Sequence, residues 1–166
     1  KKDVKYTVTY VPGSGTTFPV DSKQYEDGDT VNVKLTENQP ERPGYKLLGW
    51  ADKPDQVNPQ YSLGGVTQFV ITDNTTLYAV WQVGSYTVEY DANGGKPVSE
   101  LPTTVTLDMY HHSNSSYQSD IFTRDGYTFT GWATTKHQAD LSNAQYDLGE
   151  QIRSDLTDEP DSTVTL

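Results

Sequence analysis

Histidine and serine are the side chains of this 166-residue chain whose types are most often catalytic, and neither has the partners that catalysis needs. His111 and His112 are adjacent, so on a strand they would point to opposite faces and could not bind one metal ion together. His137 has no serine and carboxylate partner in a recognisable motif. Ser14 stands between two glycines in a turn, without the Gly-x-Ser-x-Gly pattern of a hydrolase. We therefore expect no enzyme, no metal site and no cofactor.

Carboxylates near the end of the chain offer one other chemistry, which is calcium binding. Asp155, Asp158, Glu159 and Asp161 carry the hard oxygen ligands that calcium prefers. Their spacing lacks the alternating Asp-x-Asp-x-Asp-Gly pattern of a calcium loop. A solvated acidic loop before a final strand is the interpretation we favour, and the sequence leaves weak calcium binding at Asp155–Asp161 open.

The composition indicates a folded, acidic chain with a thin core. Hydrophobic residues make up 33% of the chain, below the roughly 45–50% usual for soluble domains. Twelve tyrosines and three tryptophans argue against disorder, and the absence of cysteine excludes disulfides and thiolate sites. A net charge of -11 repels nucleic acids, and no apolar run is long enough for membrane insertion. Because no signal-peptide stretch follows the first residues, we expect an interior segment of a longer protein.

The same blocks of sequence occur twice in the same order. Tyr6–Tyr10 recurs as Tyr86–Tyr90, and a Gly-Tyr-x-x-x-Gly-Trp-Ala block at 44–51 recurs at 126–133. A Tyr-x-Leu-Gly block at 61–64 recurs at 146–149. The offset between copies rises from 80 through 82 to 85 residues, as expected when loops of the second copy carry insertions. The sequence therefore predicts two domains, 1–82 and 83–166, and we expect the last strand of domain 83–166 to be incomplete because Trp81 has no counterpart there.

Alternation of apolar and polar residues predicts strands, since successive side chains point to opposite faces of a sheet. Each copy opens with such a strand, at Tyr6–Tyr10 and at Tyr86–Tyr90, and a further strand follows at 31–35 and at 105–109. A third is expected to begin at Tyr45 and at Tyr127, and a closing strand at 77–81. We expect little helix, and the range Ala133–Leu148 could hold a short one.

The repeated aromatic and branched residues are predicted to form the core or the sheet face, because they recur at strand positions in both copies. A stacking platform for sugars is the alternative, since aromatic faces suit pyranose rings. The predicted set is Tyr6, Val8, Tyr10, Tyr45, Trp50, Tyr78, Trp81, Tyr86, Val88, Tyr90, Tyr127, Phe129 and Trp132.

Taken together, the Tyr-x-Val-x-Tyr, Gly-Trp-Ala, Tyr-x-Leu-Gly and Leu-Tyr-Ala-Val-Trp blocks resemble the Listeria/Bacteroides repeat family, also called the internalin B-type B repeat. The resemblance covers nearly the whole chain in two copies. It implies a mostly β, or α+β, chain of two β-grasp-like (ubiquitin-like) repeats on secreted or wall-attached bacterial proteins. The chain departs from the pattern by an insertion at 110–120 and by Pro12-Gly13-Ser14-Gly15 where Asn-Gly-Gly would stand.

The resemblance also implies a function that is not enzymatic. We expect a stalk or spacer module on the bacterial cell surface or cell wall, with adhesion or protein binding as a further role. The expected partners are a host or bacterial surface protein, or a glycan. The alternative is a carbohydrate-binding module attached to a secreted enzyme.

Overall fold

The computed structural model describes residues 3–14, 17–98, 100–110, 116–118, 120–152 and 156–166. The chain divides into two compact units, Lys1–Gln82 (unit 1) and Val83–Leu166 (unit 2). The described residues form eleven strands and one short helix, which confirms the mostly β fold class. The β-grasp topology stays a prediction. Within the described residues, no helix is both long enough and apolar enough to cross a membrane.

Unit 1 is built on a four-stranded sheet in the order β1-β6-β3-β4. The first and last strands of the unit, β1 and β6, pair in parallel, whereas β3 pairs with β4 antiparallel. A separate antiparallel pair joins β2 to β5. The bounds are β1 (Val8–Val11), β2 (Thr30–Asn32), β3 (Tyr45–Ala51), β4 (Tyr61–Ser62), β5 (Gln68–Val70) and β6 (Thr75–Val83).

Unit 2 repeats the parallel pairing of its first and last strands, here β7 and β11, and adds β9 antiparallel to β7. A separate, two-stranded sheet pairs β8 with β10. The one helix, α1, lies inside the predicted range 133–148, and the Thr135 side chain caps it by accepting from the Gln138 amide. The bounds are β7 (Ser85–Glu89), β8 (Lys96–Pro97), β9 (Thr104–Asp108), β10 (Phe122–Thr123), α1 (Lys136–Asp140) and β11 (Thr163–Thr165).

Each unit has a hydrophobic core of its own, and the two cores share no residue. Alternation explains the contribution of the first strands: Val8 and Tyr10 are buried while Thr9 is exposed, and Tyr86 and Val88 are buried in the same way. The core of unit 1 is Val8, Tyr10, Tyr25, Val31, Val33, Trp50, Ile71 and Leu77. The core of unit 2 is Tyr86, Val88, Tyr90, Leu107, Tyr117, Ile121, Phe122, Trp132, Tyr146, Ile152 and Leu166.

The predicted third strand of the second copy is wrong. Residues 127–131 belong to no strand among the described part of unit 2, and Tyr127 is 67% exposed instead of packed. In unit 1 the corresponding strand, β3, lies between β6 and β4. There its backbone is hydrogen-bonded to a strand on each side. Residues 127–131 form no such ladder in the described part of unit 2.

Candidate functional site

Two of the repeated sequence blocks meet at the same place in both units. In unit 1, Trp50 of the Gly-Trp-Ala block pairs with Tyr61 of the Tyr-x-Leu-Gly block across β3 and β4. In unit 2, Trp132 forms the corresponding bridge with Tyr146. Trp50 is fully buried and Trp132 is 3% exposed. The two blocks therefore recur together because each supplies one side of the same backbone pairing.

The glycine before each tryptophan is required by close backbone contact. Gly131 has a φ of +144°, and a Cβ atom there would lie 2.5 Å from the Tyr146 carbonyl oxygen. Gly49 has a φ of +148°, and a Cβ there would meet the Tyr61 carbonyl oxygen at a still shorter distance. An L side chain rarely adopts this φ and does not fit this space. The Gly-Trp pair is thus a structural motif that lets two chain segments approach.

Each buried tryptophan packs against a tyrosine of the first strand of its unit. The ring of Tyr10 meets Trp50 edge to face, with ring centroids 4.9 Å apart. The rings of Tyr90 and Trp132 are 4.5 Å apart and tilted. Such pairs contribute about 0.5–1.5 kcal/mol beyond the area they bury. This Tyr–Trp pair links the opening block of each copy to its central block.

The polar atoms of these rings have hydrogen-bond partners in both units. The amides of Lys34 and Gln118 donate to the hydroxyls of Tyr10 and Tyr90, at 2.9 Å and 3.2 Å. The indole of Trp132 donates to the Gln118 carbonyl oxygen at 2.7 Å. That of Trp50 donates instead to the Gln39 side chain, at 3.1 Å. A buried aromatic with a polar atom is stable only when that atom is satisfied, so these bonds fix the ring positions.

Two glutamines, which were not predicted from the sequence, bind the backbone two residues after each tryptophan. The Gln60 side-chain oxygen accepts from the Asp52 amide at 2.6 Å. The Gln145 side-chain oxygen accepts from the Thr134 amide at 2.8 Å, and also from the hydroxyl of Thr134. A Gln directly before the Tyr-x-Leu-Gly block in both copies was the available signal.

The other predicted aromatics are less buried than the tyrosine and tryptophan pairs. Tyr6, Tyr45, Tyr78, Trp81 and Phe129 are half-buried, and Tyr6 and Phe129 pack against the cores of their units.

An arginine three residues before the block tyrosine covers that tyrosine in both copies. The guanidinium carbon of Arg42 lies 3.5 Å from the centroid of the Tyr45 ring. That of Arg124 lies 4.1 Å from the centroid of the Tyr127 ring. These cation–π contacts occur at a tight turn, since each tyrosine amide also donates to the carbonyl oxygen of its arginine at 3.0 Å. The turn leaves Tyr127 exposed and solvated, with an arginine stacked on one face.

Two buried tyrosine hydroxyls differ in their partners. The Tyr25 hydroxyl donates to Asp21 Oδ2 at 2.8 Å, and burial, followed by this bond, raises the pKa of Tyr25 to about 12. The Tyr86 hydroxyl is buried, and within the described residues it has no hydrogen-bond partner. Burial, with a smaller contribution from Tyr90, raises the pKa of Tyr86 to about 12. Both groups are neutral at ordinary pH, and neither lies beside a catalytic partner among the described residues.

A groove of about 780 Å³ opens in unit 2. Its apolar lining consists of the buried core residues Phe122, Trp132 and Leu166, of half-buried Phe129 and of exposed Tyr127. This concave, partly aromatic surface is one that a partner could contact.

Polar groups line the groove beside this aromatic surface. Lys136 Nζ lies 2.8 Å from the Asn93 side-chain oxygen and 3.0 Å from Asp140 Oδ1. The hydrogen bonds from Asn93 and Lys136 hold the pKa of Asp140 below its usual value. Asn93 and Lys136 line the groove and Asp140 is exposed, so all three polar groups remain in contact with water. The arrangement suits recognition of a polar or aromatic group and supplies no nucleophile with a base.

The residues singled out for chemistry are not brought together. His137 is exposed on α1, and Ser14 is exposed in a turn. Asp158, Glu159 and Asp161 are exposed, whereas His111, His112 and Asp155 lie outside the described residues. In the part of the chain that the structure describes, no three histidine, aspartate or glutamate side chains are grouped as metal ligands would be. No polar or charged residue is buried there either.

Comparison with known proteins identifies the repeat. The profile of the Listeria-Bacteroides repeat domain matches residues 6–80 and again residues 86–157. The chain is 30% identical over 149 residues to a protein of Evansella cellulosilytica named "Putative membrane protein", covering 90% of this chain and 20% of that protein. It is 29% identical over 152 residues to Internalin H of Listeria monocytogenes, covering 81% of this chain and 25% of that protein.

This chain thus spans about a fifth to a quarter of the length of those two relatives. No solved structure gives a significant match. The two matched segments together include most of the chain and contain the Tyr–Trp pair of each unit. The chain therefore belongs to the Listeria-Bacteroides repeat family, of which it carries two tandem copies.

Proposed function

We propose that this chain is a non-enzymatic repeat segment of a bacterial cell-surface protein, where it acts as a spacer and as a unit for adhesion or protein binding. The observation that carries the proposal is the duplication of one complete core, built around Tyr10 and Trp50 in unit 1 and around Tyr90 and Trp132 in unit 2. A segment in which every unit closes its own core gains length by adding units. That property suits a spacer.

The relatives and the surface chemistry support the same proposal. Internalin H and the Evansella protein, whose name refers to a membrane, both contain the matched region as a minor part of their length. The net charge of -11 and the exposed acidic residues suit a water-facing segment that repels anionic surfaces. We propose that the segment is extracellular and lies on the bacterial cell surface or cell wall.

A replacement experiment in the bacterium that makes the parent protein tests the spacer role. The segment is deleted in one strain and exchanged for two other repeats of the same family in another strain. Antibody labelling of intact cells then reports how well the rest of the protein is exposed. We expect deletion to reduce labelling and the exchange to preserve it. Unchanged labelling after deletion would contradict the spacer role.

Adhesion is tested separately, with beads that carry the 166-residue chain. We expect them to bind host cells or sibling bacterial cells and to be displaced by soluble chain. If beads carrying an unrelated acidic β protein bind equally well, the adhesive role is wrong. A broad hydrolase screen checks the non-enzymatic part of the proposal, and activity that H137A abolishes would refute it.

Carbohydrate binding is the other candidate function, and the exposed Tyr127 in the groove of unit 2 is the observation that favours it. A tyrosine that is 67% exposed offers one ring face to a sugar while Arg124 covers the other. A glycan array probed with the chain and with Y127A tests this candidate. Y110A is the matched control, because Tyr110 is also exposed but does not line the groove. Binding that is lost only in Y127A would favour the carbohydrate-binding module.

A further inference from the structure

An asparagine–glycine pair forms the turn between β7 and β8 in unit 2. Asn93 and Gly94 both have a positive φ, of 41° and 84°. The Gly95 amide donates to the Ala92 carbonyl oxygen at 2.8 Å and closes the turn. These are the features of a type I′ turn, in which Asn-Gly is a preferred pair. The sequence contains this Asn-Gly pair once, so the turn is the one place where its particular chemistry can occur.

An asparagine followed by a glycine holds an electrophile and a nucleophile in adjacent residues. The electrophile is the side-chain amide carbon, Cγ, of Asn93, and the nucleophile is the backbone nitrogen of Gly94. Glycine has no Cβ atom to hinder the approach of these two atoms. Among the described residues the Gly94 amide has no hydrogen-bond partner, whereas the Gly28 amide of the Asp27-Gly28 turn donates to the Ile71 carbonyl oxygen at 2.9 Å. The Gly94 nitrogen can therefore react without first breaking such a bond.

Two charged side chains of α1 hold the side chain of Asn93, and we call them the clamp. Lys136 Nζ donates to Asn93 Oδ1 at 2.8 Å, and Asn93 Nδ2 donates to Asp140 Oδ1 at 3.1 Å. Lys136 and Asp140 also form an ion pair with each other at 3.0 Å. Each end of the amide thus faces the charge that suits it. A rotation that brings Cγ onto the Gly94 nitrogen moves Oδ1 and Nδ2 away from these partners, so the clamp opposes the reaction.

We propose that Asn93 is a site of spontaneous deamidation to aspartate and isoaspartate, and that the clamp of Lys136 and Asp140 sets the rate. The Gly94 nitrogen loses its proton to hydroxide and bonds to Asn93 Cγ. The bond from Cγ to Nδ2 breaks, and ammonia leaves with a proton from water, which restores the hydroxide. One water molecule then opens the succinimide ring. Opening at Cγ gives aspartate, and opening at the backbone carbonyl carbon gives isoaspartate.

Either product weakens the contact between the turn and α1. Aspartate has no N–H group to donate, so two carboxylates would face each other where Asn93 now bonds to Asp140. Isoaspartate also lengthens the main chain by one atom, which a turn closed by the bond from Gly95 to Ala92 does not accommodate. Helix α1 has five residues and none of them is buried. Its position therefore depends on polar contacts of this kind.

The test keeps the folded chain, and the chain unfolded in guanidinium, at mildly alkaline pH and follows the peptide that contains Asn93 by mass spectrometry. Each conversion adds about 1 Da, because an NH2 group is replaced by OH. We expect slower conversion in the folded chain than in the unfolded one. D140A should speed conversion of the folded chain by about threefold or more, because the side chain is freed from the clamp. D158A is the matched control, since Asp158 is also an exposed carboxylate of unit 2 but does not bond to Asn93, and its rate should be unchanged.

The N93D variant checks the consequence of the reaction without waiting for it. We expect the pKa of Asp140, followed by nuclear magnetic resonance, to rise toward its ordinary value, because the hydrogen bond from Asn93 is the main cause that lowers it. We also expect the amides of α1 to exchange faster than in the original chain. An unchanged pKa together with unchanged exchange would contradict the stated link between the turn and α1.

Three results of the incubation would overturn the proposal. The first is equal conversion in D140A and in the original folded chain, because the clamp would then have no effect on the rate. The second is a folded chain and a D140A variant that both retain Asn93 after the unfolded chain has converted. The third is a lasting loss of about 17 Da with Asn93 joined to Lys136, since Lys136 Nζ would then be the nucleophile.

Discussion

The ring of Tyr90 lies against the indole of Trp132, with the two ring centroids 4.5 Å apart. Tyr10 and Trp50 make the same contact in unit 1 at 4.9 Å. In each unit this pair joins the first strand to the Gly-Trp segment, two parts of the chain about 40 residues apart in sequence. The pair is therefore the contact on which closure of each core depends, and changes at its members should have the largest effects.

Replacing Trp132 with alanine should lower the free energy of unfolding of unit 2 by about 3–5 kcal/mol, because it leaves a large cavity in a small core. The measurement is urea unfolding followed by a probe placed in unit 2. Y127A is the matched control, since Tyr127 is 67% exposed and its removal should cost about 0.5 kcal/mol or less. Equal losses for the two variants would show that Trp132 is not a core residue.

Replacing Gly131 with alanine should destabilise unit 2 by more than the backbone conformation alone explains. The new Cβ would lie 2.5 Å from the Tyr146 carbonyl oxygen, so the paired segments must move apart. G126A is the control, because Gly126 has a φ of +79° but a Cβ atom added there would have nothing within 4 Å. The control should cost about 1–2 kcal/mol, and G131A clearly more, in thermal unfolding of unit 2. If G126A is as harmful as G131A, the close contact is not what selects glycine.

Removing the hydroxyl of Tyr86 should leave stability unchanged or raise it by a few tenths of a kcal/mol. The group is buried and, among the described residues, has no partner, so its loss removes a desolvation cost. Y90F should instead cost about 1–2 kcal/mol, because it deprives the Gln118 amide of its acceptor. Chemical denaturation of the two variants side by side gives the comparison. A larger loss for Y86F than for Y90F would contradict this assignment of partners.

Stability should fall as the pH rises from about 10 to about 12. Burial raises the pKa of Tyr25 and of Tyr86 to about 12 in the folded chain, above the ordinary value of 10.0 that they regain on unfolding. The folded state therefore holds these protons more tightly, and its advantage is complete below pH 10 and is lost as pH rises through the folded pKa. Each tyrosine accounts for about 2–3 kcal/mol at most. Absorbance titration of tyrosinate, compared with Y25F and Y86F, measures the effect, and titration of both groups near pH 10 would contradict it.

Much of the strand pattern could be predicted from the sequence, because local alternation is visible without a structure. Val31 and Leu107 lie in predicted strands that the structure contains. The segment beginning at Tyr127 was predicted wrongly because a central strand depends on neighbours that are remote in sequence. The hydrogen bonds of Gln39 and Gln118 could not be predicted either, since the two residues use different atoms to satisfy equivalent tryptophans.

Each copy of the repeat closes a hydrophobic core of its own. Amide hydrogen exchange of W50A and of W132A, followed residue by residue, tests this claim directly. Because the two cores share no residue, W50A should lower protection throughout unit 1 and leave unit 2 protected, and W132A should do the reverse. Loss of protection in both units from either single substitution would show one shared core and would contradict the account.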